Sequence, residues 1–141
     1  MRQLLLLRHA KSSWDDPKLP DFERPLNLRG RAAATAMREA MAGLGLSPDQ
    51  VLVSTAQRTL QTLRESAQER VKLFHNPGLH DLAMLLLGTP ATEGADHRRL
   101  REGYPSGALV ELVVPGPWAD LAEGGARLAH FLCPRDLPPA H

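Results

Sequence analysis

Four cationic or titratable side chains stand where short apolar runs end. Arg8 and His9 close "LLLL", Arg58 follows "VLVSTAQ", and His75 follows "VKLF". If these runs are parallel neighbouring strands, all four side chains meet at one end of one sheet, where α/β proteins usually bind ligands. Each guanidinium presents a planar fork of donors that matches phosphate oxygens. Helices expected to begin near residues 57 and 77 add oriented backbone N–H groups. Such a set asks for an oxyanion, most simply a phosphoryl group. Alone, each residue is ordinary, since arginine is usually solvated and a lone histidine usually caps or packs. Convergence at three strand exits is what points to a site.

Periodicity predicts the elements that must hold these residues. The "LLLL" run at 4–7 is continuous rather than alternating, as in a short strand covered on both faces. From Leu28 onward, Ala33, Met37, Ala40, Met41 and Leu44 share one stripe at helical spacing, and Gly43 and Gly45 stop the helix. "QVLVST" is a second strand, and "AQRTLQTLRESAQE" a second helix that Ser54 or Thr55 can cap. "VKLF" is a third strand, and "HNPGLHDLAMLLLG" a helix with Pro77 in its first turn and Gly88 at its end. A loop then runs to Pro105, followed by a strand "GALVELVV", a turn "PGPWADLAEGG" and a last strand "RLAHFL". Strands alternating with helices and ending in two neighbouring strands predict an α/β layered domain, its sheet mostly parallel with an antiparallel component.

The 141 residues suit one domain, 1–141, that buries its own core. A single cysteine, Cys133, excludes an intramolecular disulfide framework. Without a signal-peptide pattern or a bilayer-length apolar run, the expected compartment is the cytoplasm and no membrane partner is expected. Seventeen basic and 16 acidic residues leave a net charge of +1, which lacks the electrostatic footprint of a nucleic-acid binder. No cofactor is expected, because GxGxxG, GxxxxGK[ST] and HExxH are all absent. His80, His97, His130 and His141 show no metal-ligand spacing and read as surface or core residues, so no metal site is expected either.

The blocks "LLLRHAKSSWDD", "DFERPLNLRGRAAA", "VSTAQRTLQT", "HNPGLHDLAMLLLG" and "YPSGALVEL" resemble, in order, those of the histidine phosphatase superfamily. Its SixA-type phosphohistidine phosphatase branch is the nearest in pattern. An Arg-His pair after a leucine strand is common; several blocks in the same order are specific. The resemblance implies a three-layer α/β/α, phosphoglycerate mutase-like fold with a mixed, mostly parallel sheet. It also implies that His9 is a nucleophile carrying a phosphohistidine intermediate, with Arg8, Arg58 and His75 binding the phosphoryl group. Lys11 and Ser12, in the loop after His9, are expected to donate to the same phosphate or to the group that carries it. Arginine neighbours suit this role, because positive charge lowers an imidazole's pKa below its usual ~6.5 and keeps it neutral and nucleophilic. The implied substrate is a phosphorylated protein or a small phosphorylated molecule.

The pattern is shorter than the family's in the middle. Only "LQTLRESAQERVKLF" separates "STAQRT" from "HNPG", where the family has a further strand and helix. Losing an edge strand leaves five strands instead of six, in the order 2-4-1-5-6 of the family's strands, with a permissible crossover between two neighbours. Several branches draw their proton donor from the missing segment. Asp15, Asp16, Asp21 and Glu23 in the first loop are the remaining candidates, and Asp21 is also expected to pair with Arg24 to hold that loop. Trp14 is either a stacking platform for substrate or a lid over apolar surface. A phosphohistidine demands less of an acid than a phosphomonoester, since imidazole leaves more readily than an alkoxide. Phosphohistidine hydrolysis is therefore the leading expectation, beside a small-molecule phosphomonoesterase and a catalytically impaired phosphate-binding module.

Overall fold

The computed structural model describes residues 2–53, 56–66, 71–73, 78–90 and 93–139. In chain order its elements are β1 (Arg2–Leu7), α1 (Leu28–Gly43), β2 (Val51–Val53), α2 (Gln57–Ser66), β3 (Val71–Leu73), α3 (Leu79–Leu87), α4 (Ala95–Glu102), β4 (Leu109–Val114) and β5 (Arg127–Leu132). One sheet has the order β1-β4-β5, and a second pairs β2 with β3.

Both faces of the larger sheet are covered at β4, which is nearly all apolar, whereas β5 alternates exposed and covered positions. On one face, Met37 and Met41 of α1 and Leu46 pack with Leu109, flanked by Leu5, Leu7 and Leu132. On the other, Leu6, Val110, Leu112 and Val114 pack with Ala83, Leu86 and Leu87 of α3 and Leu100 of α4. Burying a side chain of this size contributes roughly 1.5–3 kcal/mol, so the leucine run of β1 is anchored from both sides. Its last residue delivers Arg8 and His9 at a rigid edge, where Arg8 N–H donates to Ala108 O at 3.0 Å.

The described pairings run in both directions. Among the described residues β4 runs antiparallel to both β1 and β5, and the parallel pairing is that of β2 with β3. A strand buried on both faces carries no alternation that would betray its neighbour's direction, so the apolar run alone could not decide this. The neighbouring parallel strands on either side of α2 and the antiparallel final pair are as expected. One strand, β3, stands between α2 and α3 among the described residues.

The buried residues of α1 are Gly30, Ala34, Ala36, Met37 and Met41, with Ala33 and Ala40 at the margin. Leu44, expected on the buried stripe, is exposed, and Leu46 takes the core position instead. Leu44 N–H still donates to Ala40 O at 3.1 Å as the last residue in helical register, and the reversal at Gly45, with φ of +69°, folds Leu46 back to donate to Met41 O at 2.9 Å. The segment before Pro105 is a helix, α4, rather than a loop throughout. It buries only Leu100 and His97, too few apolar positions for a period to be read. Ion pairs from Arg99 to Asp136 and from Arg101 to Glu93, both 2.5 Å, fasten its other side. The expected caps Ser54 and Thr55, and Pro77, lie outside the described residues.

Candidate active site

Arg8 and His9 leave β1 into a loop that is stapled to the start of α1. Asn27 caps α1 by accepting from Gly30 N–H at 2.7 Å, while its Nδ2 donates to Ser12 O at 3.3 Å and its backbone N–H to Lys11 O at 3.0 Å. Gly30 is required for this approach: a Cβ there would lie 2.2 Å from Lys11 O. The other support comes from α2. Thr62 Oγ1 accepts from the buried backbone N–H of Ala10 at 2.9 Å and donates to Arg58 O at 2.7 Å. Gln61 Oε1 accepts from Leu26 N–H at 2.6 Å. The residue after His9 and the backbone of Arg58 are therefore held by one hydroxyl.

Arg8, His9 and Arg58 line one cavity of about 400 Å³, together with Thr59, His80 and Tyr104. His9 Nδ1 lies 2.8 Å from Ala10 O. A carbonyl can only accept, so Nδ1 carries the hydrogen and the lone pair of the neutral ring sits on Nε2. Burial pushes the His9 pKa below its ordinary value; the Ala10 bond opposes this, Arg58 and Arg8 reinforce it, and Asp21 opposes it weakly. The result is a neutral imidazole facing two guanidiniums. Arg8 donates to Tyr104 O, and the Tyr104 hydroxyl donates to Leu6 O. Burial pushes the Tyr104 hydroxyl pKa upward, so it stays a donor.

Asp21 pairs with Arg58, not Arg24: Oδ2 lies 3.0 Å from Arg58 Nη2, and Arg58 Nη1 donates to Asp21 O at 2.5 Å. Arg24 is instead buried, donating to Asp16 O at 3.1 Å and stacking 3.7 Å from the centre of the Trp14 ring. Three carbonyls of the turn, those of Ser13, Asp16 and Pro17, accept from its two terminal nitrogens in place of a carboxylate, while the buried Nε has no partner among the described residues. Trp14 thus covers a guanidinium on one face of its ring and is itself exposed. Asp15, Asp16 and Glu23 are exposed, and none of them lines the cavity; nor do Lys11 and Ser12. His75 lies outside the described residues, as does His141. His80, expected among the surface or core residues, lines the cavity, while His97 is buried in α4 and His130 sits 2.5 Å from buried Glu111. Thr59, Thr62 and Tyr104 went unnoticed in the sequence; a Thr four residues past Arg58, on the same helix face, was the available signal.

The family model of the histidine phosphatase superfamily (branch 1) matches residues 4–106. The chain belongs to this superfamily. It is 32% identical over 160 aligned residues, 92% of this chain and all of the other, to the uncharacterised protein Rv1276c of Mycobacterium tuberculosis. That span exceeds the 141 residues here, so the alignment opens gaps in this chain. An uncharacterised chloroplastic protein of Arabidopsis thaliana is 44% identical over 79 residues, 56% of this chain; the match spans 36% of that relative's length.

Among solved structures, a protein assigned as the phosphohistidine phosphatase SixA of Nakamurella multipartitia is 26% identical, with a TM-score of 0.80 over 94% of this chain and 96% of that one. One assigned likewise from Agrobacterium tumefaciens is 26% identical, with a TM-score of 0.73 over 93% and 97%. The protein histidine phosphatase SixA solved with tungstate shares the fold at a TM-score of 0.70 and 16% identity, over 96% and 99%. The fold is α/β and phosphoglycerate mutase-like, and this histidine phosphatase superfamily member is by class a phosphatase, a SixA-like hydrolase. Among the described residues no helix is long and apolar enough to cross a membrane, and no group of three or more His, Cys, Asp or Glu is placed to hold a metal ion.

Proposed function

We propose that this chain, with residues 1–141 acting as one cytoplasmic domain, hydrolyses phosphohistidine on a protein through a phosphohistidine intermediate on His9. The observation that carries the reading is the His9 Nδ1 contact with Ala10 O, inside a cavity that also receives Arg8 and Arg58. It leaves Nε2 as the nucleophilic nitrogen. Nε2 attacks phosphorus, the bond to the substrate nitrogen breaks, and water later releases orthophosphate from His9. Arg8 and Arg58 stabilise the charge spread over the equatorial oxygens, which is most of what an enzyme supplies to phosphoryl transfer. His75 is the fourth member of the set by family resemblance, and Lys11 and Ser12 serve the entering substrate. The cations of the chain itself supply the electrostatics, so the reaction is proposed to proceed without a metal.

A protein substrate is supported by the SixA-type neighbours and by the exposed first loop beside Arg58. The test is early quenching with a phosphohistidine peptide in chelator. Phosphate trapped on His9 in the wild type and absent from a folded His9→Ala variant supports the reading. A folded wild type that binds phosphate but never labels or turns over points to the impaired binding module. Faster turnover of small phosphate esters than of the peptide points to the phosphomonoesterase.

A further inference from the structure

None of the carboxylates considered as proton donors lines the cavity, and Asp21 is engaged by Arg58. A different titratable group does line it. His80, in the first turn of α3, has Nε2 2.6 Å from Leu100 O, and its ring meets Tyr104 edge-on at 6.2 Å between centroids. The carbonyl accepts, so Nε2 bears a hydrogen in either charge state and Nδ1 is the nitrogen left to exchange protons. The hydrogen bond and the aromatic contact fix the ring from two sides. Asp81, the next residue, is exposed and does not line the cavity.

We propose that His80 is the proton carrier of this site, a catalytic residue whose Nδ1 protonates the leaving group and then deprotonates the attacking water. The proposal rests on the reading of His9 as nucleophile. In the first half-reaction His9 Nε2 bonds to phosphorus, the P–N bond of the substrate breaks, and its electron pair goes to the departing nitrogen. That nitrogen takes the proton from Nδ1 of cationic His80, and neutral imidazole leaves. In the second, water attacks the phosphoryl group, Nδ1 of neutral His80 takes one of its protons, and the P–N pair returns to His9 Nε2. Orthophosphate departs and His80 is again cationic. An imidazole suits both tasks because its charge changes near neutral pH.

The test compares wild type with His80→Gln, whose amide can still donate to Leu100 O but cannot carry a proton. Labelling of His9 is followed from a phosphohistidine peptide and from p-nitrophenyl phosphate, whose phenolate leaves without a proton. We expect about 100-fold slower labelling from the peptide and less than about three-fold from the aryl ester, with slower decay of the phosphoenzyme in both cases. The peptide's pH–rate profile loses one limb in the variant. Equal losses of labelling on both substrates mean a structural role and overturn the proposal, as do unchanged rates and an unchanged profile. His80→Asn replaces the variant if His80→Gln does not fold. A wild type that never labels with either substrate overturns the reading of His9, and the proposal with it, which separates that failure from failure of His80 alone.

Discussion

The Thr62 hydroxyl accepts the backbone N–H of Ala10 at 2.9 Å, tying the residue after His9 to the second turn of α2. The same oxygen donates to Arg58 O, so one side chain sets the spacing between the two catalytic candidates. Thr62→Val keeps the shape and leaves the buried Ala10 N–H unpaired, which costs about 1–3 kcal/mol. We expect a lower urea midpoint and slower His9 labelling, with Thr62→Ser restoring both. Unchanged labelling in a destabilised Thr62→Val would show that the hydroxyl serves the fold alone.

Gly30→Ala tests the other support of the same loop. The added Cβ meets Lys11 O at 2.2 Å and Lys11 N at 2.9 Å, and backbone cannot step aside as a flexible side chain would. Overpacking of this kind costs about 1–3 kcal/mol, outweighing the gain of about 1 kcal/mol from replacing glycine inside a helix. The expected result is a lower denaturant midpoint at unchanged m value, together with slower labelling. A stabilised variant would mean that the loop holding Lys11 moves freely relative to α1.

Arg8 and His9 were legible because a leucine run covered on both faces must end somewhere, and polar residues mark that end. The β5 boundaries and the stop of α1 at its glycines were legible for the same local reasons. What escaped depends on tertiary neighbours. Arg24 and Asp21 sit three residues apart and read as a pair, yet Arg58 competes for the carboxylate once α2 packs against the loop. His80 looked like any histidine on an apolar helix; only the fold, by placing α3 beside Tyr104, turns it toward the cavity. Strand direction escaped because hydrophobicity is blind to it when both faces are buried.

Removing the Asp21 charge should strengthen phosphate binding. Arg58 is mostly buried, with 18% of its side chain exposed, while Asp21 is 67% exposed, so the pair is screened on one side and modest in strength. In Asp21→Asn the Arg58 fork no longer divides its donors between a carboxylate and the ligand, though its bond to Asp21 O remains possible. An exposed pair of this kind is worth about 0.2–1 kcal/mol, which converts to orthophosphate inhibition tighter by up to about five-fold. Weaker inhibition in the variant would show that Asp21 orients Arg58 for the ligand and does not compete with it.

Acid titration tests the electrostatics at His9. Its folded pKa lies below the ordinary imidazole value because burial, and then Arg58 and Arg8, disfavour the cation. In the interval between the two pKa values the unfolded chain binds more protons than the folded one, so stability rises with pH there. His9 therefore contributes stability in full above its unfolded pKa near ~6.5, and loses it as pH falls through the folded value. The wild type should lose stability below that pH relative to His9→Gln, and its labelling from p-nitrophenyl phosphate should stay level past ~6.5 before falling. Arg58→Gln removes one of the depressing charges and moves the fall to higher pH. A labelling rate that already halves above pH ~6.5 would mean that the cation is favoured in the folded site, contrary to this geometry.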